Sequence, residues 1–277
     1  MKDITIIITT FLRPGCLKRC VESIRKYYPD IRIIVSDNGK TPPNLIYELT
    51  EIHKCKYLKL RFDSGASHAK NAALDITESK YAVIIDDDFE FTRNTNLEKF
   101  KIVLESDDNL GIVGGKPISP SGKVGTRGSK LLINKKKEMF WRFPIEIPDW
   151  KEIKGIEYYY ADYTRQFLLI RNVPDIRWDN DLKIGGLHVA FFINIKLHAN
   201  WRVAYVPEVE VIHHRSRPAS LGYMFYRRRK DFKKKLYEKT GLRYGIFHNH
   251  TIFDFKYAKK IKPPDFERFN VFKLEAQ

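Results

Sequence analysis

Three consecutive carboxylates, Asp86-Asp87-Asp88, stand directly behind the apolar run Tyr81–Ile85. That run reads as a buried strand, so the triplet falls at a carboxyl end, the edge where open α/β sheets bind ligands. Side chains alternate along an extended chain, which sends Asp86 and Asp88 to one side and Asp87 to the other. Two carboxylates on one side suit a hard divalent cation that keeps positions open for phosphate oxygens. Without a cation, three adjacent like charges repel. A second apolar stretch, Val209–Ile212, ends in His213-His214. Neutral imidazole ligates manganese-class ions, so His213 is a candidate to join Asp88.

Two more loops leave the same edge. Thr9-Thr10-Phe11-Leu12-Arg13 follows one strand-like run and Ser36-Asp37-Asn38-Gly39 another. They could hold a nucleoside, with Asp37 accepting from the base and backbone amides near Thr10 facing the ribose. Asp-Asn-Gly is equally an ordinary turn. Asp63-Ser64-Gly65, followed by His68, Lys70 and Asn71, is a small-residue turn into a helix N-terminus, a place suited to phosphate. The glycine content matches neither a Walker loop nor a Rossmann fingerprint.

These residues need a scaffold. Strands at Ile4–Thr9, Ile31–Ser36, Tyr57–Phe62 and Tyr81–Ile85 alternate with helical spacing through Leu17–Tyr28, Leu45–Ile52 and Ser67–Thr77. Thr95-Asn96-Leu97-Glu98 fits a capping box for a further helix to about Glu105. The alternation predicts an α/β fold, a mainly parallel sheet with helices on both faces. The second half is less periodic. Ser119–Lys137 reads as a mobile loop and Tyr163–Ile170 as a strand. Gly185-Gly186 opens a helix over His188–Leu197, and two strands follow at Arg202–Val206 and Glu208–His213. Leu221–Tyr237 reads as helical and the remainder as irregular.

With 277 residues, 43% hydrophobic and 30% charged, the chain can bury the core of one large domain. Its apolar runs are far shorter than the roughly 20 residues that cross a bilayer. Cys16, Cys20 and Cys55 are too few for a disulfide framework or a four-cysteine zinc site. Met1-Lys2-Asp3 leads straight into a strand, so the expected location is cytoplasmic. The net charge is +16, yet the stretch from Arg215 to Gln277, with 17 basic and 6 acidic residues, holds +11 of it. Charge is densest at Arg227–Lys230 and Lys233–Lys235. A solvated helix face accounts for such runs. The interleaved Tyr223, Phe225, Tyr226, Phe232 and Tyr237 point instead to an anionic membrane surface, at its inner face, or a lipid-linked acceptor. Confinement to the tail argues against nucleic acid as the partner.

The chain resembles nucleotide-sugar glycosyltransferases of the GT-A fold. It is similar to the family 2 transferases and to β-1,4-N-acetylgalactosaminyltransferases of the ganglioside GM2/GD2 synthase type. The resemblance rests on Thr10-Phe11-Leu12-Arg13, Ser23-Ile24-Arg25, Ala69-Lys70-Asn71-Ala72, Asp86-Asp87-Asp88-Phe89, Val113-Gly114-Gly115, Phe167-Leu168-Leu169, Phe191-Phe192 and Val209 to His213. These segments run in order over residues 4–214. The resemblance implies a catalytic domain at 1–214, with a donor half at 1–115, an acceptor half at 116–214 and a basic tail at 215–277. It implies metal-dependent, inverting transfer of a hexosamine from a UDP-sugar to a glycan hydroxyl, with Mn²⁺ or Mg²⁺. Asp88 and His213 would hold the metal, and Asp86 would contact both the metal region and the ribose. Asp37 would bind uracil, while Thr10, Phe11, Arg13, Lys70, Asn71 and Asp87 would line the nucleotide-sugar site.

The family's inverting members carry a carboxylate base at the start of the helix before the Phe-Phe pair. Here Leu187 and Ala190 occupy those places, leaving His188, Asp162 or Asp181 as candidates for the base. Two other readings stay open: a nucleotidyltransferase, and an impaired transferase fold that binds anionic glycan, lipid or nucleic acid. Trp141 and Trp150 are candidates to stack on an acceptor sugar.

Overall fold

The computed structural model describes residues 1–125, 127–214, 221–227, 231–247 and 251–261. Strands β1 (Ile4–Thr10), β2 (Arg32–Asp37), β3 (Lys56–Lys59) and β4 (Tyr81–Asp86) are parallel neighbours in the order β3-β2-β1-β4. Every residue of β1 is buried, as a β-branched run covered on both faces requires. The alternation is visible in the packing. Ile6 and Ile8 join one hydrophobic core and Ile7 the other.

Helices α1 (Pro14–Tyr27), α2 (Pro43–Tyr47, continued by a π-helical turn at Glu48–Ile52) and α4 (Leu97–Glu105) cover the first face. In α1, Leu17, Cys20, Val21 and Ile24 form the buried stripe, and Pro14 opens the helix where its missing N–H costs nothing. Asn96 rather than Thr95 caps α4, its side chain accepting from Lys99 N. Thr95 instead ties Thr92 N to the carbonyl of Glu210.

The other face carries α3 (Ala66–Asp75) and α5 (Leu187–His198). Helix α5 is buried on nearly all sides, as a helix so uniformly apolar must be. Its outer side is covered by α7 (Asp231–Thr240) through Leu236. Trp178 stacks on Phe191 with ring centroids 4.1 Å apart, and Tyr163 packs against Phe192. These contacts fix the rotation of α5 and thus the direction of His188.

The sheet extends as β4-β11-β6-β12-β10-β9, with β5 (Phe89–Glu90), β6 (Leu110–Ile118), β9 (Lys151–Ile153), β10 (Ile156–Ala161), β11 (Leu168–Arg171) and β12 (Arg202–His213). β11 is antiparallel to both neighbours. Arg202–His213 is one strand with a bulge between Tyr205 and Glu210, around Pro207, where two strands had been expected. β5 pairs with its end.

A second, five-stranded sheet follows the order β15-β14-β13-β8-β7. It joins β7 (Ser129–Asn134) and β8 (Met139–Pro144) to β13 (Tyr244–Ile246), β14 (Ile252–Asp254) and β15 (Lys259–Ile261). Two expectations are thereby corrected: part of the supposed mobile loop is β7, and the supposedly irregular end of the tail supplies three strands. Their partners are distant in sequence, so no local pattern announces them. Among the described residues, no helix is long and apolar enough to cross a membrane.

Candidate active site

Strand register assembles the site. Thr9 lies opposite Asp86 across β1 and β4, and Thr10 lies opposite Asp37 across β1 and β2. The exits of three strands thus share one edge. His213 is brought there from 124 residues away by its pairing with Phe89, and their rings stack at 4.7 Å. His214 N also donates to the carbonyl of Asp88 at 2.9 Å.

The three carboxylates have different fates. Asp86 accepts from Thr9 Oγ1 at 2.9 Å and from Lys70 Nζ at 3.0 Å. Burial pushes its pKa up, but Lys70, His188 and Arg13 outweigh this and hold it well below the usual carboxylate range. Asp87 is fully buried, accepting from Thr10 Oγ1 at 2.6 Å and pairing with Arg13. Its pKa is raised to about 7, because burial and the neighbouring Asp88 outweigh the pull of Arg13. Asp88 meets Arg13 Nη1 at 2.7 Å and His213 Nε2 at 3.6 Å, both at Oδ2. Its pKa is lowered: burial raises it, and His213 and Arg13 more than compensate.

A cavity of about 490 Å³ is bordered by Asp86, Asp88, His213, Arg13 and His188, with Arg165, Gln166 and Arg227 on its rim. Asp87 is not among its walls and serves to anchor Arg13. The donor set fits a manganese-class cation. Asp88 Oδ1 is buried without a hydrogen-bond partner, and its other oxygen faces an imidazole. Two protein donors leave positions for phosphate and water. Among the described residues, the one group of three donors close enough to share an ion is Glu22, Glu48 and His53, away from this cavity. There Lys18 already sits 2.7 Å from Glu48.

His188 lies on the first turn of α5, in contact with Gln166. Burial, then the charge of Lys70, lower its pKa to about 3, so the imidazole is neutral at ordinary pH. Leu187 and Ala190 point into the apolar core and border neither this cavity nor its neighbour. The other two candidate bases are engaged elsewhere. Asp162 accepts from Leu131 N and pairs with Lys196 at 2.8 Å. Asp181 is exposed and pairs with Lys239 at 2.5 Å.

The remaining residues divide. Thr10, Phe11 and Arg13 border a smaller cavity with Asn38, Gly65 and Asp86. It holds only about 60 Å³, far below the roughly 300 Å³ of a small-molecule site. The reason is α6 (Leu221–Arg227), whose Tyr226 packs against both Phe11 and Phe62 at 5.4 Å, while Tyr223 lies over Arg13. Asp37 does not reach this space. Its carboxylate accepts from Gly39 N, Thr41 N and Tyr57 Oη and so shapes the Asn38–Thr41 turn. Lys70 is 1% exposed and acts on Asp86 from beneath. Asn71 is turned away, bonded to Trp178 and Asn180.

Sequence reasoning passed over Gln166, Arg165, Tyr163 and Met224, which border the larger cavity. They lie in a loop and in the tail, without a spacing that marks them. Arg228–Lys230, part of the densest basic run, fall outside the described residues.

Comparison with known proteins identifies the family and the fold. The model of glycosyl transferase family 2 matches residues 5–163. Beta-1,4 N-acetylgalactosaminyltransferase 2 of Mus musculus is 40% identical over 112 residues, 40% of this chain and 21% of that protein. Beta-1,4 N-acetylgalactosaminyltransferase 1 of Homo sapiens is 34% identical over 130 residues, 47% of this chain and 23% of that protein. The chain thus spans less than a quarter of the length of these curated relatives. Among solved structures, GalNAc-T7, crystallised with UDP, GalNAc and Mn²⁺, superposes with a TM-score of 0.63 at 16% identity, covering 86% of this chain and 48% of that one. With the family matched over more than half of the chain and the sheet folded as in these transferases, this protein belongs to glycosyl transferase family 2 and has the GT-A fold.

Proposed function

We propose that the chain transfers a hexosamine, with N-acetylgalactosamine the first candidate, from a UDP-sugar to a glycan hydroxyl with inversion at the anomeric carbon. One observation carries the reading: Asp86, Asp88, His213 and His188, from three separate segments, border a single cavity. Likeness to the N-acetylgalactosaminyltransferases supports the choice of sugar. In this reading Asp88 and His213 hold Mn²⁺ or Mg²⁺, and Asp86 faces the ribose. The bound cation would stabilise negative charge on the departing diphosphate without a proton.

The chain's own residues do the rest. Arg13 and Lys70 hold Asp88 and Asp86 ionised, as their pairing with these two carboxylates supports. His188 accepts the proton of the acceptor hydroxyl as its oxygen bonds to the anomeric carbon and the bond to the diphosphate breaks. His188 is weakly basic here because of burial and nearby Lys70, Arg227 and Arg165. A diphosphate offsets these cations, so donor binding raises the basicity of His188 when it is needed.

The test is UDP release from UDP-N-acetylgalactosamine, UDP-N-acetylglucosamine and UDP-galactose with Mn²⁺, with Mg²⁺ and with EDTA. Release that needs metal and is lost in Asp88→Ala supports the reading. Absence of both release and UDP binding turns attention to the alternative of a basic binding module. The tail is also proposed to meet an anionic membrane surface or lipid-linked acceptor. Support comes from Lys234, exposed on α7 while Leu236 is buried. Salt-sensitive sedimentation with anionic vesicles checks this, and salt-independent or absent sedimentation refutes it.

A further inference from the structure

The second sheet gathers two hairpin turns at one end. In its register Asn134 pairs with Met139, Met139 with Tyr244, Tyr244 with Asp254 and Asp254 with Lys259. The β7–β8 turn, the entry to β13 and the β14–β15 turn therefore lie at the same end. The two turns are built alike. Asn134 Oδ1 accepts from Lys137 N at 3.0 Å, and Asp254 Oδ1 from Tyr257 N at 3.2 Å. Glu138 N donates to Lys135 O at 3.1 Å, and Ala258 N to Phe255 O at 3.3 Å. Each turn closes on a residue of positive φ, +50° at Glu138 and +51° at Ala258. Three strand spacings separate the tips, which places them ~14 Å apart.

Lysine is what these tips present. Lys135, Lys136 and Lys137 are exposed on the first, Lys256 and Lys259 on the second. The carboxylates of the two turns are Glu138, which is exposed, and Asp254, which is buried and paired with Arg243 at 3.1 Å. Tyr257 is 55% exposed, with Arg243, Lys256 and Lys259 at 5.1, 5.7 and 5.5 Å from its ring centroid. A ring so engaged is ill placed to stack on a base, as a nucleic-acid partner would use it. An amphipathic ring among long ammonium side chains is instead the mixture that suits a lipid headgroup layer. From Lys259, β15 carries the chain away from the tips to Ile261.

We propose that this end of the second sheet docks on an anionic lipid bilayer, with the lysines of both tips against the headgroup phosphates and Tyr257 at their level. The inference rests on the membrane reading given above for the tail and deepens it. It extends the contact from α7 to the two turns, and it brings in Lys135, Lys136 and Lys137, which precede the tail altogether. It requires nothing of the transferase chemistry.

Sedimentation of the full chain with vesicles of phosphatidylcholine, alone or mixed with phosphatidylglycerol, tests the proposal. The chain should sediment with the anionic vesicles and not with the neutral ones, and less as salt rises. One lysine near such a surface strengthens attachment about fivefold. Lys135→Gln, Lys136→Gln and Lys137→Gln combined should therefore weaken it about a hundredfold, and Lys256→Gln with Lys259→Gln roughly twentyfold. Lys234→Gln on α7 should weaken it no more than the fivefold of a single lysine. All these side chains are exposed, so an unchanged Tm verifies the fold of each variant. Failure of the unaltered chain to sediment with anionic vesicles overturns the proposal together with the membrane reading. Sedimentation that both turn variants leave intact overturns the proposal alone and returns the contact to α7. Single-stranded DNA is the control for charge by itself. If, at equal concentration of negative charge, it strips the chain from the vesicles, the surface belongs to nucleic acid and the proposal falls.

Discussion

Arg13 Nη1 lies 2.7 Å from Asp88 Oδ2, the same oxygen that faces His213 Nε2 at 3.6 Å. A protein cation thus neutralises the carboxylate that is proposed to hold a metal, while Asp88 Oδ1 is left buried and unbonded. The pairing explains how three adjacent aspartates coexist in a folded chain. Removing one partner of a buried pair costs about 3–5 kcal/mol. Arg13→Gln is accordingly expected to lower the ligand-free Tm and to increase the stabilisation obtained from Mn²⁺. In the unaltered protein, Mn²⁺ with UDP at 100 times its Kd adds about 2.7 kcal/mol, or roughly 5–10 °C in Tm. Asp88→Ala should abolish that shift, and persistence of the shift in this variant would remove Asp88 from the metal site.

His188→Ala should reduce kcat by about 10²- to 10⁴-fold, the range of a lost general base, with donor KM little changed. Leu187→Glu, which restores a carboxylate at a family position, should not raise turnover. Leu187 is 4% exposed in the core, so the variant loses stability by burying an unpaired charge. Turnover gained by Leu187→Glu, or kept by His188→Ala, would assign the base elsewhere.

The pH dependence of stability offers a second view of His188. Its folded pKa is about 3 against 6.5 for a free imidazole. Between these values the unfolded chain binds the proton and the folded chain does not. The stability contribution is therefore present above about 6.5 and is lost as pH falls toward 3, at up to about 1.4 kcal/mol per pH unit. Urea unfolding of His188→Gln between pH 4 and 7 should show a shallower slope than the unaltered protein. Equal slopes would mean that His188 protonates freely in the fold.

Helix α6 closes over the small cavity beside Thr10 and Asn38, with Tyr226 packed on Phe11 and Phe62; in the proposed reading a nucleoside enters there as Tyr226 withdraws. Tyr226→Ala should raise the association rate for UDP several-fold, since a larger fraction of molecules is open. Stopped-flow binding reads this directly, and an unchanged rate would show that α6 is no obstacle.

Gly65 has φ +99°, and a Cβ there would lie 2.6 Å from Lys183 Cβ and 2.7 Å from Lys183 Cα. The close approach lets Ala66 N donate to Lys183 O, and Ser67 Oγ to Leu182 O. Gly65→Ala should therefore cost about 1–3 kcal/mol from strain alone, more if the segment before α5 is displaced. Chemical denaturation measures it, and a loss under 0.5 kcal/mol (roughly the effect of a neutral surface change) would show that this junction yields.

The parallel half of the sheet was legible because each strand and helix there is announced by its own residues. Runs such as Ile4–Ile8 and the spacing of Leu17, Val21 and Ile24 encode burial locally. Asp86 and Asp88 do border one cavity, but not through strand alternation, since β4 ends at Asp86 and Asp87-Asp88 form a turn. The second sheet was not legible, since β13 pairs with β8 across about a hundred residues and each strand is only three to six residues long. Nor did the helix-start turn at Gly65 disclose that Asn71 faces Trp178 instead of a ligand.

By itself, the sequence determined the chemistry on offer: carboxylates at a strand end, an imidazole behind another strand, and cations concentrated in the tail. Residue type and short-range periodicity are local properties, and they survive without a fold. Tertiary structure alone decided which groups share a space. It paired His213 with Phe89 to face Asp88, buried Asp87 against Arg13, and set His188, not Asp162 or Asp181, at the cavity. It also brought Lys233 and Lys260 of the tail to a cavity that Arg142 of β8 borders. Those outcomes depend on strand register and on the rotation of α5, which are set by packing between segments far apart in the chain.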